Sequence, residues 1–260
     1  MASGIYIAMQ GARVQEHRLD TLNHDLANAN TPGFKRQAAI YRQIHNDATK
    51  LGDPDQAMGL HHPVRYLPED RLPVHLEQRY TQFEQGALRF TGNDLDIAID
   101  GPGFFTLAGP DGPRYTRNGS FTLARDGALV THEGHPVLDA TGQPIRLPTA
   151  DGRLRVATTG EIFIDDQPAG RLGLADFGDL QALARVGDST WQNPNAATNP
   201  ATPVTDPRVH QAHIESANVN PIRTMVELIK TNRVFEMNTR AIQAYKAMDD
   251  QANRDVGRLS

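Results

Sequence analysis

Both ends of this chain repeat apolar residues every seven positions, and the stretch between them does not. Ile5, Ala12, Leu19 and Leu26 keep that interval near the start, with Ala8, Leu22 and Ala29 on the same stripe. Leu228, Phe235 and Ile242 keep it near the end, flanked by Met225, Ile229, Tyr245 and Ala252. Sustained seven-residue spacing marks a helix that lies along another helix. The pattern predicts helices over residues 5–29 and 221–257, roughly 37 and 55 Å long at 1.5 Å per residue. Rods of that length cannot bury their stripes on a modest β domain, so they are expected to need a neighbour.

The helix ends carry stop and start signals. Pro32 pushes Thr31 out of the α region and Gly33 tolerates a positive φ, which ends the first helix in Asn28-Ala29-Asn30-Thr31-Pro32-Gly33. Asn220-Pro221 starts the second: Asn caps well, and Pro fits the first helical position.

Composition narrows the possible functions. Hydrophobic residues make up 38% of the 260, enough for a modest core, and the 17 prolines and 22 glycines suit turns and short strands. A net charge of −5 with no long basic run argues against a nucleic-acid partner. Cysteine is absent, which removes disulfides and thiolate metal sites and suits a chain exported unfolded. No run approaches the ~18 apolar residues of a membrane span, so no membrane insertion is expected. The start lacks a basic region and an apolar core, so no cleaved signal peptide is expected and export would need another route.

The pattern divides the chain into an N-terminal helix (1–33), an extended arm (34–81), a β domain (82–192), an extended connector (193–217) and a C-terminal helix (218–260). In the β domain, Leu95 to Asp100 alternates as a half-buried strand should. Asp111-Gly112, Asn118-Gly119, Asp126-Gly127 and Glu133-Gly134 punctuate it at hairpin-like intervals. Further strands are expected at 144–147, 154–157, 162–164 and 173–177, with a short strand or extended lead over 208–217. The fold class is therefore α+β: two long terminal helices around a mostly antiparallel β domain.

Catalytic chemistry finds little footing. His61, His62 and His75 sit in a Pro-rich arm without metal-ligand spacing, and solvated loop positions explain them better. Asp94, Asp96 and Asp100 fit the polar face of a strand, whereas hydrolysis needs two carboxylates facing one cleft. Gly101-Pro102-Gly103 lacks the third glycine of a dinucleotide site and reads as a tight turn. Asn118-Gly119-Ser120 matches a glycosylation sequon but is explained by a turn, and Phe104 and Phe105 read as β core. No catalytic, cofactor or metal residue is assigned.

Leu26-Ala27-Asn28-Ala29-Asn30-Thr31-Pro32-Gly33-Phe34-Lys35 closely resembles the N-terminal motif of the flagellar rod, hook and hook-associated proteins. Ser216 to Asn220, followed by Met225, Ile229, Arg233, Phe235 and Glu236, is similar to their C-terminal motif. Asn93 to Phe105, and Tyr115 to Phe121 with Asp126-Gly127, resemble the start of their β domain. The opening Ile5 to Ala12 and the stretch Arg233 to Met237 look most like proximal rod proteins, with distal rod proteins as the rival.

The resemblance implies a structural, non-enzymatic subunit of the rod, the axial drive shaft that crosses the periplasm and transmits torque from motor to hook. It implies export through the flagellar type III apparatus, terminal helices paired as a coiled-coil-like inner tube, and partners among copies of the chain and other rod subunits. The assembly residues it marks are Ile5, Ala12, Leu19, Leu26, Asn28, Asn30, Pro32, Gly33 and Phe34 at the start. At the end they are Asn218, Asn220, Met225, Leu228, Ile229, Arg233, Phe235 and Ile242. A peptidoglycan-acting enzyme and a secreted binding module remain the readings from other classes; a cleft of converging titratable groups would favour the enzyme.

Overall fold

The computed structural model describes residues 2–43, 74–147, 154–187 and 189–256. It opens with helix α1 (Ala2–Ala27) and closes with helix α2 (Pro221–Val256). Between them run β1 (Gln37–Gln43), β2 (Val74–Thr81), β3 (Leu88–Phe90), β4 (Ile97–Ile99), β5 (Phe104–Gly109) and β6 (Gly112–Thr116). Next come β7 (Phe121–Leu123), β8 (Leu129–Thr131), β9 (Leu154–Val156), β10 (Glu161–Ile164), β11 (Gln167–Arg171) and β12 (Leu174–Asp176). The last strands are β13 (Ala184–Arg185), β14 (Thr190–Gln192), β15 (Thr202–Pro203), β16 (Val209–Gln211) and β17 (His213–Glu215). The class is α+β, and every pairing in the β region from residue 88 to 215 is antiparallel.

The described residues form two compact units, one of residues 2–24, 37–43, 74–80 and 222–256, the other drawn from 25–36 and 81–221. The first holds α2, most of α1 and the β1–β2 ribbon. Within it, α1 approaches α2 at two positions seven residues apart. A Cβ on Gly4 would fall 2.6 Å from the Tyr245 ring, and one on Gly11 would fall 3.1 Å from the Asn238 amide. The partner falls by seven as the glycine rises by seven, so the two helices run in opposite directions there. Glycine at the two positions leaves room for the Tyr245 ring and the Asn238 amide.

The β unit is built on a six-stranded sheet ordered β13-β14-β6-β5-β12-β15, with smaller ribbons around it. Alternation along β5 sends Phe105 and Leu107 into one core with Ile97, Ile99, Phe121, Leu129, Val137 and Ile162. Phe104 points to the other face, into an aromatic cluster with Tyr115, Phe177 and Trp191. Its rings meet edge-on, with Tyr115 and Phe177 centroids 4.7 Å apart.

Several local expectations are corrected. The ends of the 34–81 arm are strands, since β1 and β2 pair; His61, His62 and the rest of its middle lie outside the described residues. The 95–100 segment is not half-buried: Asp96, Ile97, Ala98 and Ile99 are all buried, because β16 pairs with β4 and the core covers it. Asp96 therefore sits inward, where it accepts from the Asn93 amide at 3.2 Å. Residues 144–147 make isolated bridges rather than a strand, and the 193–217 connector contains β15, paired with β12.

Asn118-Gly119 is not a positive-φ hairpin turn either. Gly119 is absent from the left-handed positions, but a Cβ there would lie 1.6 Å from the Ile97 carbonyl oxygen. Close backbone approach selects this glycine. By contrast Gly127 (φ 78°) occupies a hairpin turn as expected, Gly112 (φ 121°) opens β6 directly after one, and Gly101 and Gly103 give the tight turn before β5.

Candidate functional site: the junction of the two terminal segments

The two recognised end motifs meet in the β unit. The stretch after α1, residues 33–36, lies beside residues 82–87 and 215–218, joined by a dense set of hydrogen bonds. Gly33 N donates to the Glu215 carbonyl at 2.8 Å, and Asn218 N donates to the Phe34 carbonyl at 3.3 Å. Asn218 is the central peg. Its Oδ1 accepts from Arg36 N at 2.8 Å while its Nδ2 donates to the Gln82 carbonyl at 2.7 Å. One side-chain amide thus completes backbone groups of two other segments, as buried polar backbone requires.

Gly33 is fixed twice over. Its φ is +68°, and a Cβ would stand 2.3 Å from Asn118 N. The turn drives Phe34 fully inside, under the Arg185 guanidinium, whose Cζ lies 4.6 Å from the ring centroid.

Beneath this layer lies a buried ion triad. Lys35 Nζ donates to Glu215 Oε1 at 2.5 Å and to the Glu84 carbonyl at 2.7 Å. Glu215 Oε1 also accepts from Gly86 N at 2.9 Å, and Oε2 from Arg117 at 3.4 Å. Arg117 donates its other nitrogen to the Gly101 carbonyl at 2.6 Å and lies against the Phe104 ring. Burial lowers the Lys35 amine, partly offset by the Glu215 charge. Burial likewise lowers Arg117, against the favourable charges of Glu215 and Asp176. Two cations share one carboxylate, so Glu215 is the group that neither cation can lose.

The motif residues fall into distinct environments. Gly33 and Phe34 are buried, Asn28, Pro32 and Asn218 partly buried, and Asn30 and Asn220 exposed. Ile5, Ala12, Leu19 and Leu26 are partly buried along α1. On α2, Leu228, Phe235 and Ile242 are partly buried, whereas Met225, Ile229 and Arg233 are exposed. The α2 residues thus divide between two faces of the helix. Thr224 and Thr231 extend the inward face and are buried, although polar residues gave no apolar signal in the sequence. Glu215, Arg117 and Gly86 were not singled out either, because ion pairs across such sequence distances leave no periodicity.

A groove of about 640 Å³ lies on the β unit, lined among others by Thr106, Tyr115, Asp139, Arg171 and Pro203. Asp139 is the one carboxylate among its described lining residues, and it is engaged by Thr141 and Gln143. The facing carboxylate pair of a hydrolase is not present in that lining.

Two family models match this chain: the flagellar hook protein FlgE/F/G D1 domain over residues 98–164, and the flagellar basal body rod FlgEFG protein C-terminal over 210–255. The first covers part of the β unit, the second β16, β17 and almost all of α2. The chain is 33% identical to the flagellar basal-body rod protein FlgF of Caulobacter vibrioides, over 100% of both proteins. It is 30% identical to the FlgF of Mesorhizobium japonicum, again over 100% of both. The flagellar basal-body rod protein FlgG of Buchnera aphidicola subsp. Schizaphis graminum is 30% identical, over 95% of this chain and 97% of that protein.

Proposed function

This chain belongs to the flagellar basal-body rod protein family, and on that premise we propose that it is a proximal, FlgF-like segment of the axial shaft that carries torque toward the hook. It is a structural subunit of the basal body, FlgF-like in sequence. The FlgF-named relatives align over 99–100% of the chain and the FlgG-named ones over 93–96%, which favours the proximal position over the distal one.

The observation that carries the mechanical reading is the seven-residue step between α1 and α2. Gly4 against Tyr245 and Gly11 against Asn238 is the contact expected of a coiled-coil-like antiparallel pair. The partly buried Leu228, Phe235 and Ile242 continue the seam. The junction supports the same role: Glu215, Asn218, Lys35 and Phe34 tie the segments next to both helices into one β unit.

Partners on this reading are other rod subunits and the flagellar export apparatus. Among the described residues no helix is long and apolar enough to cross a membrane. The test is a cryo-EM map of basal bodies from cells carrying this chain as the sole copy. Density for its β unit on the proximal rod is the expected result. Density at the distal rod would transfer it to the FlgG-like position, and its absence from the rod would end the reading.

A further inference from the structure

Asn118 is the only asparagine in the chain that precedes a glycine. That pair is chemically labile. The amide nitrogen of the second residue attacks the asparagine Cγ, the Cγ–Nδ2 bond breaks, and ammonia leaves a cyclic imide behind. Water then opens one of the two imide carbonyls. One opening gives aspartate; the other gives isoaspartate, in which the main chain runs through the former side chain. A side chain on the second residue hinders the ring closure, and glycine has none.

The fold admits no bulkier residue at 119. A Cβ there would lie 1.6 Å from the Ile97 carbonyl oxygen. The same close approach holds the backbone in place once it has formed. Ile97 N donates to the Gly119 carbonyl at 2.9 Å, and Ser120 bridges to Asp96. Asn118 N donates to Thr116 Oγ1 at 3.0 Å, and that hydroxyl donates to the buried Ser189 carbonyl at 2.7 Å. Asn118 Oδ1 accepts from Ser120 N at 3.0 Å. Gly33 closes the other side, where a Cβ would stand 2.3 Å from Asn118 N.

Ring closure requires Gly119 N to reach bonding distance of Cγ. The Gly119 peptide would have to turn away from Ile97, and Oδ1 would have to leave Ser120 N. Both moves strand polar groups in a part of the β unit where Thr116, Arg117 and Gly119 are buried.

We propose that Asn118-Gly119 is a spontaneous deamidation site that folding shuts off, so that isoaspartate at position 118 marks chains that stayed unfolded. The aspartate product keeps an oxygen for Ser120 N and still folds. The isoaspartate product carries an extra main-chain carbon between the bond to Thr116 and the bond to Ile97. It cannot make both, and the chain is lost to folding.

The test uses the full-length chain carrying Ala196→Gly, which places a second asparagine–glycine pair at Asn195 in the exposed turn over 194–198. It is aged in native buffer and in denaturant at the same pH, and both sites are followed by peptide mapping with aspartate and isoaspartate resolved. Similar rates at the two sites are expected in denaturant. In native buffer Asn118 should fall about tenfold or more behind Asn195, because it reacts only through local opening. The unsubstituted chain must show the same slowing of Asn118 between denaturant and native buffer. Equal rates at the two sites in the native chain overturn the proposal. Chains aged in denaturant are then refolded and the folded fraction isolated. Isoaspartate at position 118 should be depleted from it and aspartate retained; equal retention of both overturns the sorting of chains.

Discussion

Lys35 and Glu215 form an ion pair closed to water, Nζ lying 2.5 Å from Oε1 with the two side chains 0% and 1% exposed. They stand 180 residues apart in the sequence. Lys35 follows the first helix closely and Glu215 precedes the second, so the contact joins the two ends of the chain inside the β unit. Such a pair is costly to desolvate and costlier to break, because the surviving partner stays buried and charged.

Glu215→Gln keeps the shape of the side chain but leaves Lys35 and Arg117 without their shared anion. The expected loss is about 3–5 kcal/mol of unfolding free energy, read from denaturant midpoints. Lys35→Met should cost less, since Arg117 still neutralises Glu215. Equal effects from the two variants would contradict the shared-anion account.

Gly119→Ala should destabilise the β unit by about 3 kcal/mol or more, because its Cβ would overlap the Ile97 carbonyl. Gly134 has open space around it and a φ of +86°, so Gly134→Ala meets only backbone strain, about 1–2 kcal/mol. Thermal melts of both variants would show whether contact or conformation matters more.

Asp139 gives the β unit an acid-sensitive turn. Burial raises its carboxyl, but hydrogen bonds from the Thr141 hydroxyl and the amides of Gln143, Thr141 and Gly142 prevail and hold it below its ordinary value of 3.8. The folded state then binds fewer protons than the unfolded state, so the contribution is present above about pH 3.8 and is lost as pH falls through the lowered value. Asp139→Asn should be less stable than the parent at neutral pH, and the gap should narrow in strong acid. Denaturant titrations at neutral and strongly acidic pH measure both.

Leu228→Asp and Phe235→Asp should abolish rod assembly, each placing a carboxylate in an apolar seam at a cost of several kcal/mol per subunit. Gln243→Asp, on the exposed side of α2, should leave assembly intact. Swarming assays, with expression and export confirmed, separate these outcomes; normal motility with Phe235→Asp would remove the seam from the assembly account.

In the free subunit the helices are expected to exchange amide protons faster than the β unit. Each long helix depends on packing, and its outer apolar surface is uncovered until a neighbour arrives. Hydrogen exchange on the purified chain tests this: protection over residues 5–24 matching that of β5 and β6 would contradict it.

The terminal helices, their Asn220-Pro221 start and the turn at Gly33 were legible because each is a local rule: a period, a cap, a positive φ. The family was legible because its motifs are contiguous. What stayed hidden was non-local. Periodicity placed Leu228 and Ile229 on one helix but did not say that Leu228 would be partly buried and Ile229 exposed, since facing depends on what packs alongside. Alternation made Asp96 look solvent-facing, but β16, more than 100 residues later, pairs with the adjoining β4, and Ser120 bridges to Asp96 itself. Nothing in Asn118-Gly119 distinguishes a turn from a close approach, because the atom that excludes a side chain belongs to Ile97. By itself the sequence determined two amphipathic rods, a β middle and the family. The tertiary structure alone decided that Lys35, Arg117 and Glu215 meet, because a buried charge is tolerated only where distant segments deliver its partners together.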